Sequence, residues 1–454
     1  MEMQRNSQGN PLGYENTSVL LKRFAVPSII AMVVSSLYNI IDQIFIGQGV
    51  GYLGNAATNV AYPITTICLA AALLVGIGGA AKFSLELGAG NQEEAGHCVG
   101  NMLWSALTLS LIIAVIVQLF LNPLLHAFGA TENIMPYAQS YVRITGIGIP
   151  FLILTNVLSN IIRADGSPNY SMTCMVTGAI VNTILDPIFI FVFHLGVAGA
   201  AWATTISQIV SFVVSAAYLF RFKTIKLNRA FFRPSWKKSI ELASLGISNS
   251  LNQLALTLLQ VVLNNSLTYY GAMTAYGSDI PLSGAGIVMK VNSIVIGVFI
   301  GFAQGSQPIL GYNYGAKQFE RVKSTYKLEI KCSFVISTIA FIAFQFFPKY
   351  IIGLFGSGND LYMDFTIHFT RIFLMMILIN NVQMLSASFF SAVGKPLKGV
   401  MLSLSRQILF LIPLILILPL FWGLDGILYA GPVADIAAFF VSIFMIKKEF
   451  SKMH

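Results

Sequence analysis

The feature that most constrains the fold is a series of long apolar segments that recurs along the whole chain. An α-helix needs about 20 largely apolar residues to cross the hydrocarbon core of a bilayer. Twelve segments meet this requirement, and only 10% of the 454 residues are charged, against about 25% in a typical soluble domain. We therefore predict an all-α polytopic membrane protein. The twelve predicted spans are 19–46, 53–80, 98–122, 135–161, 169–192, 197–221, 239–267, 282–310, 325–347, 362–391, 397–419 and 425–447.

The basic residues predict how these helices cross the membrane, because Lys and Arg accumulate in cytoplasmic loops. If the N-terminus is cytoplasmic, 22 of the 27 basic residues fall on the cytoplasmic side, only Lys349 falls on the opposite side, and four lie inside spans. The terminal segments 1–18 and 448–454 are therefore both expected in the cytoplasm. The net charge of +9 reflects this topology, so we expect no nucleic-acid partner.

An internal repeat divides the twelve spans into two halves. The string GIGGAAKFSLELGAG from Gly76 recurs loosely as GFAQGSQPILGYNYG from Gly301, and ADGSP from Ala164 recurs as AVGKP from Ala392. These and two further matches have offsets of 225 to 228 residues, about half of the chain. Six spans per repeat place both halves in the same orientation around a cleft, which suits alternating access by rocking. We predict two pseudo-symmetric six-helix bundles, an N-lobe at 19–221 and a C-lobe at 239–447, joined by a basic cytoplasmic connector at 222–238.

Two acidic residues lie well inside predicted spans of the N-lobe. An Asp at the centre of a membrane helix costs about 2.5–3.5 kcal/mol on insertion scales, so such residues are candidates for function. Asp42 and Asp186 lie equally far along helices 1 and 5 and are expected in one layer. Asn182 shares a face with Asp186, and Thr204 of helix 6 reaches a similar depth. Such a group of oxygens could take up a proton or hold Na⁺; alternatively, the two carboxyl groups only brace the bundle through hydrogen bonds.

At these residues the sequence resembles a known family. The segments LYNIIDQIFIG at 37–47 and VNTILDPIFIF at 181–191 are similar to the corresponding segments of the MATE (multidrug and toxic compound extrusion) family, in its bacterial MepA-like branch. The resemblance implies a V-shaped pair of six-helix bundles in the bacterial cell membrane, exporting small amphipathic, often cationic compounds by antiport against H⁺ or Na⁺. We expect no cofactor, and because one chain already supplies both lobes we expect a monomer. Carried over by position, the cation site is Asp42, Asn182, Asp186 and Thr204.

The C-lobe departs from part of the family. Some members carry an acid on helix 7, whereas here LNQLALTLLQVVLNN at 251–265 offers only amides, so we expect no second cation site there. The amides could line the cleft or only join helices, and Met side chains suit a cleft that accepts many shapes. The residues that we predict to line the substrate cleft are Asn249, Gln253, Gln260, Met273, Met289, Met376 and Gln383.

Three charged residues lie about ten residues inside C-lobe spans, namely Lys290 of helix 8, Arg406 of helix 11 and Asp435 of helix 12. Opposite charges at one depth in a membrane are expected to pair. We predict a structural ion pair that involves Asp435, and the alternative is a role in conformational switching.

Other functions fit the sequence less well. A lipid-linked sugar flippase or polysaccharide exporter of similar architecture is the nearest alternative, but it would carry several basic residues in the cleft to meet phosphates. The predicted spans contain no HExxH, GxSxG or paired His site, so we expect no enzymatic activity. No segment resembles the selectivity filter of a channel.

Overall fold

The computed structural model describes residues 10–353 and 360–453, and in these two ranges the regular secondary structure is helical. Ten helices in these ranges are long and apolar enough to cross a membrane, and a bent pair counts as an eleventh. The helix at Trp236–Gly271 has 36 residues and completes the twelve predicted spans. We label the spans α1 Thr17–Gly49, α2 Tyr52–Gly88, α3 Gln92–Leu119, α4 Met135–Ala164, α5 Pro168–Pro187, α6 Gly196–Ala217, α7 Trp236–Gly271, α8 Asp279–Gly315, α9 Phe319–Phe346, α10 Asp360–Phe373 with Ile377–Ala392, α11 Pro396–Trp422 and α12 Leu424–Phe450.

The predicted terminal segments are described only in part. Residues 1–9 of the predicted segment 1–18, and residue 454 of the predicted segment 448–454, lie outside the described residues. The described part of the first segment includes a short helix at Pro11–Tyr14. Short helices at Leu121–Ala127 and Pro348–Gly353 also follow α3 and α9, so the repeat extends to elements that do not cross the membrane.

Three of the spans are irregular where the sequence predicted continuous helices. A π-helical turn at Ile188–Val192 follows Pro187 in α5, and another at Ser405–Leu411 precedes Pro413 in α11. Proline has no backbone N–H and clashes with the preceding turn, which accounts for the turn before Pro413. α10 bends by 54° between its two parts, although no proline lies there.

Each lobe has its own apolar core, and the lobes meet mainly through α1 with α8 and through α2 with α7 and α8. Close contacts between the lobes lie at the end of the molecule that carries residues 10–16, 222–235 and 451–453. We call this end the basic end. The charge distribution predicts that the basic end is cytoplasmic.

Two glycines allow backbone contact between the lobes at the basic end. A Cβ added to Gly88 of α2 would lie 2.0 Å from the carbonyl oxygen of Tyr312 in α8, and one added to Gly315 of α8 would lie 2.1 Å from that of Leu85 in α2. The two contacts are related by the repeat, because 227 residues separate the two glycines and likewise Leu85 and Tyr312. Only glycine permits so close an approach. The lobes are therefore closed against each other at the basic end.

The connector is attached to the N-lobe at its start. Asp165, in the loop before α5, accepts hydrogen bonds from the backbone N–H groups of Lys223 at 2.7 Å and Thr224 at 2.9 Å, and from the Tyr218 hydroxyl at 2.8 Å. Burial raises the pKa of Asp165 above its ordinary value, while these hydrogen bonds act in the opposite direction.

The end of the connector is attached to the same lobe. Trp104 of α3 donates from Nε1 to the carbonyl oxygen of Phe232 at 2.6 Å, and the backbone N–H of Ser235 donates to Asn101 Oδ1 at 2.7 Å. Lys238, in the first turn of α7, forms an ion pair with Glu94 of α3 at 2.8 Å. The connector and the start of α7 thus rest on the N-lobe.

Candidate functional site

The carboxyl groups of Asp42 and Asp186 approach each other within the N-lobe. Their side chains are close enough for each to act on the charge of the other, across the packing of α1 against α5. Asp186 is completely buried and Asp42 is partly buried. The Oδ1 atom of each is buried, and neither has a hydrogen-bond partner in the described residues. Two acceptor oxygens thus lie in the bundle without a donor.

The other two residues of the predicted cation site join this pair. Asn182 precedes Asp186 by one helical turn and is also completely buried. With its amide nitrogen turned toward Asp186, Nδ2 donates to Asp186 Oδ2 at 2.8 Å and Oδ1 accepts from the backbone N–H of Thr204 at 3.3 Å. With the amide reversed, Nδ2 lies 3.4 Å from Thr204 Oγ1. The structure therefore brings Asp42, Asn182, Asp186 and Thr204 into one cluster.

Two tyrosines that sequence reasoning missed also border the cluster. Tyr38 precedes Asp42 by one turn of α1 and lies close to both carboxyl groups. Tyr141 of α4 lies close to the same groups and to the Thr204 side chain. The i, i+4 spacing of Tyr38 and Asp42 could have identified the first. Nothing in the sequence connects Tyr141 with helices 1 and 5.

The charge of this cluster has no fixed partner. In residues 10–353 and 360–453, no Lys, Arg or His side chain forms an ion pair with Asp42 or Asp186. No group of three or more His, Cys, Asp or Glu side chains in these ranges could hold a metal ion. A bound Na⁺ would therefore use the two carboxyl groups together with amide and hydroxyl oxygens, which are ligands that a hard cation accepts. A proton would need only the carboxyl pair.

The intramembrane charges of the C-lobe are arranged differently. Arg406 Nε lies 2.5 Å from Asp435 Oδ1, and Arg406 also donates to Gln407 Oε1 at 3.0 Å. The predicted ion pair of Asp435 is therefore present in the structure. Lys290, the third charge predicted at this depth, is exposed and does not take part in that pair.

The predicted cleft residues are more dispersed. Asn249 and Gln253 of α7 and Met289 of α8 are half-buried, Gln260 is exposed, and Met376 lies at the bend of α10. Two of the seven predicted residues do not lie in the wall of a cleft. Met273 lies in the loop between α7 and α8 and is 64% exposed, and Gln383 is buried inside the C-lobe, donating to the carbonyl oxygen of Leu402 at 2.6 Å.

A further intramembrane acid, Glu329 of α9, was also missed from the sequence. It is only 1% exposed, and its Oε1 accepts a hydrogen bond from Ser306 Oγ of α8 at 2.9 Å. Lys327 and Lys331 lie two residues on either side of it, so the composition of this segment is typical of a cytoplasmic helix end in water. Both lysines are exposed, however, and lie on the other side of the helix. The buried positions Glu329, Ser333 and Ser337 recur every four residues, which is the signal that could have found it.

The chain is similar to known proteins over most of its length. The MatE family model matches the chain twice, over residues 27–188 and 254–417. The chain belongs to the MatE family. It is 27% identical to the multidrug export protein MepA of Staphylococcus haemolyticus over 442 residues, which cover 95% of this chain and 94% of that protein. It is 25% identical to MepA of Staphylococcus aureus strain MSSA476 over 418 residues, 91% and 90% of the two chains.

A solved MATE structure has the same fold. It is an outward-facing multidrug resistance transporter of the MOP superfamily, and it matches with a TM-score of 0.90 at 24% identity, covering 97% of this chain and 99% of that one. The family expected from the segments around Asp42 and Asp186 is thus confirmed, as is the architecture of two repeats with twelve helices. The two MatE matches begin 227 residues apart, in agreement with the offset of the sequence repeat. The chain is a multi-pass membrane protein of the MATE multidrug efflux family.

Proposed function

We propose that this transporter exports small amphipathic, often cationic compounds by antiport against H⁺ or Na⁺, with the ion bound at Asp42, Asn182, Asp186 and Thr204. The observation that carries this proposal is the buried carboxyl pair without an ion-pair partner in the described chain. Each carboxylate is costly in a dry bundle unless a cation accompanies it. The site is therefore stable with a proton or Na⁺ bound and unstable without one, which is what couples an ion to a conformational change.

The contacts that close the lobes at the basic end indicate to which side of the membrane the cleft opens. If that end is cytoplasmic, the lobes are closed toward the cytoplasm and the cleft opens outward. A cation arriving from outside then neutralises the carboxyl pair and favours closure of the N-lobe around it, so that a bound compound leaves. Both termini would lie in the cytoplasm of a bacterial cell. One chain carries both lobes, which supports a monomer as the functional unit.

The charges favour this function over a lipid-linked sugar flippase. A phosphate-bearing substrate needs several uncompensated basic groups, yet Arg406 is neutralised by Asp435, which leaves Lys290 as the one unpaired base of the two predicted at that depth. The N-lobe cluster is acidic and borders two aromatic rings, Tyr38 and Tyr141. Acidic and aromatic groups together attract organic cations and repel phosphates.

Dye uptake into inverted membrane vesicles tests the coupling site. Asp42→Asn and Asp186→Asn are each expected to reduce ion-driven ethidium uptake at least about tenfold, which corresponds to roughly 1.4 kcal/mol or more, with normal insertion into the membrane. Asp425→Asn is a matched control, because the Asp425 side chain is 60% exposed, and it should transport normally. Normal uptake by both site variants would refute the coupling assignment.

The coupling ion requires a separate measurement. Purified transporter in proteoliposomes would be given either a Na⁺ gradient at equal pH or a pH gradient without Na⁺. Dye movement with only one gradient identifies the ion, and no movement with either gradient contradicts antiport.

A further inference from the structure

Glu329 is buried beside the contact between the lobes and has no partner for one of its oxygens. It lies ten residues into α9, about 15 Å from the helix start at the basic end. Ser306 Oγ contacts Oε1, while Oε2 is buried and has no hydrogen-bond partner in the described residues. No basic side chain in those residues forms an ion pair with it.

The elements packed around Glu329 offer no compensating charge. α9 packs against α1, α8 and α10, which contribute Leu21 and Ala25, Phe302 and Ala303, and Leu385 to one apolar cluster with α9. The other titratable groups on α9 are Tyr326, whose hydroxyl bonds to Ser386 at 2.7 Å, Cys332, and five charged residues, Glu320, Arg321, Lys323, Lys327 and Lys331. Lys327 and Lys331 are exposed on the other side of the helix, and Lys323 pairs with Glu320. On α1, Lys22 and Arg23 are exposed, and Arg23 pairs with Glu15. His368 and Arg371 of α10 lie at the opposite end, since Arg371 bonds to Gln345, near the far end of α9. An ionised Glu329 would thus be an unpaired charge in an apolar environment.

The hydrogen bonds around Ser306 are complete only if Glu329 carries a proton. Ser306 has one hydroxyl hydrogen but lies within bonding distance of two acceptors, the Ala303 carbonyl oxygen at 3.2 Å and Glu329 Oε1 at 2.9 Å. An ionised carboxylate would compete with the carbonyl for that hydrogen. A proton on Oε1 satisfies all three groups, because Glu329 then donates to Ser306 and Ser306 donates to Ala303. A proton suits this position better than Na⁺, since Ser306 is the only side chain bonded to Glu329 in the described chain.

The packing also links Glu329 to the closure of the lobes. On α8, Gly305 lies against α1, where an added Cβ would be 2.5 Å from Ala25 Cα, while the next residue, Ser306, contacts Glu329. On α9, Leu328 and Cys332 pack into the cluster that contains Leu21 of α1. The α1 helix therefore covers this part of the C-lobe only while the lobes are in contact at the basic end.

We propose that Glu329 is a proton-binding site of the C-lobe, occupied while the lobes touch at the basic end and emptied to that side when α1 moves away. On opening, the proton passes from Glu329 to water and leaves a hydrated carboxylate, and closure requires its return. This inference rests on the antiport function proposed above and adds a second ionisable site to it. It also replaces the expectation, based on helix 7 alone, that the C-lobe has no such site.

Infrared spectroscopy of the purified transporter at neutral pH tests the protonation directly and does not depend on transport. The C=O stretch of protonated carboxyl groups should lose the contribution of one group in Glu329→Gln. Glu320→Gln, on the same helix but with an 88% exposed side chain, should leave it unchanged. Because Gln has nearly the shape of protonated Glu, the variant is expected to fold. Equal intensity in wild type and Glu329→Gln would overturn the proposal.

A distance measurement tests the link to the lobes. Spin labels at Glu93→Cys and Gln318→Cys, in a chain whose four native cysteines are replaced by Ser, report separation at the basic end. The wild-type distances should shift to longer values as the pH rises, and Glu329→Gln should lose part of this shift while Glu320→Gln keeps it. An unchanged pH response in Glu329→Gln would contradict the role in closure. Normal dye uptake by the Asp42 and Asp186 variants would contradict the coupling assignment in the N-lobe, whereas the infrared and distance measurements would still show whether Glu329 is protonated and linked to closure.

Discussion

Asp186 in the N-lobe and Asp435 in the C-lobe are both almost completely buried in membrane-spanning helices, with exposures of 0% and 4%. Asp435 has the guanidinium group of Arg406 at 2.5 Å. The ionisable group beside Asp186 is instead a second carboxyl, that of Asp42. The two lobes share one repeat, yet one contains an ion pair of opposite charges and the other contains two neighbouring carboxyl groups.

This difference indicates what each site can do. An ion pair carries its own counter-charge, so its energy changes little when a mobile ion arrives or departs. A pair of carboxyl groups can be stable in a dry bundle only with a cation from solution. The repeat supplies the same scaffold in both lobes. Whether a buried acid braces the bundle or couples an ion therefore depends on the group beside it and not on its depth in the membrane.

The largest effect on stability is expected when the acid is removed from the C-lobe ion pair. Asp435→Asn leaves Arg406 buried without a counter-charge, and breaking a buried pair costs about 3–5 kcal/mol. We expect a low folded yield and a clearly lower melting temperature by size-exclusion chromatography after heating. Lys290→Gln, at an exposed position of the same lobe, should melt like wild type.

A double variant separates charge from shape at the same place. Asp435→Leu combined with Arg406→Met removes both charges and should recover most of the lost stability, since apolar replacements of buried pairs are often neutral or stabilising. If Asp435→Asn alone melts normally, the C-lobe pair does not brace the bundle.

The same substitution in the N-lobe is expected to have a much smaller effect on stability. Asp186→Asn removes one of two neighbouring carboxyl groups and leaves no counter-charge unpaired, so the free energy of unfolding should stay within about 1 kcal/mol of wild type. Wild type should also gain about 2.7 kcal/mol at a coupling-ion concentration of 100 times its Kd, and the variant should lose this gain. Thermal melting with and without Na⁺, and across neutral to acidic pH, measures both. A loss of stability as large as that of Asp435→Asn would make the two lobes equivalent.

The smallest expected effect sharpens the description of the coupling site. Thr204→Ala removes a hydroxyl that contacts Asn182 and Tyr141, and a single hydrogen bond contributes about 0.5–1.5 kcal/mol. We expect the ion concentration for half-maximal dye transport to rise by up to about tenfold. Thr204→Ser keeps the hydroxyl and should behave like wild type, whereas an unaffected Thr204→Ala would remove this residue from the site.

How far the sequence predicted these features depends on whether they are local. Apolar length and repeat offset are properties of the chain itself, and they predicted twelve helices in two bundles. Asp42 and Asp186 were found because isolated acids in apolar segments are conspicuous. Tyr141 was missed because its place beside Thr204 depends on how α4 packs against α6. Gln383 was predicted to line the cleft because the sequence does not reveal that its side chain turns inward and bonds to α11.

Glu329 shows a different limit. The lysines on either side of it made its segment resemble a cytoplasmic end, because composition averages over all faces of a helix. Only the packing of α9 against α8 separates the face of Glu329 from that of Lys327 and Lys331. The bend in α10 has no proline and no glycine at its position, so it could not be predicted from local residue types.

The attachment of the connector determines how the gene could be divided. Asp165 holds its first residues, and Asn101 and Trp104 hold its last ones. A break near residue 227, the arithmetic midpoint, would turn half of these bonds into links between separate polypeptides. A break just before Trp236 would keep all of them in the first fragment, so two coexpressed half-transporters should reassemble more readily from that division.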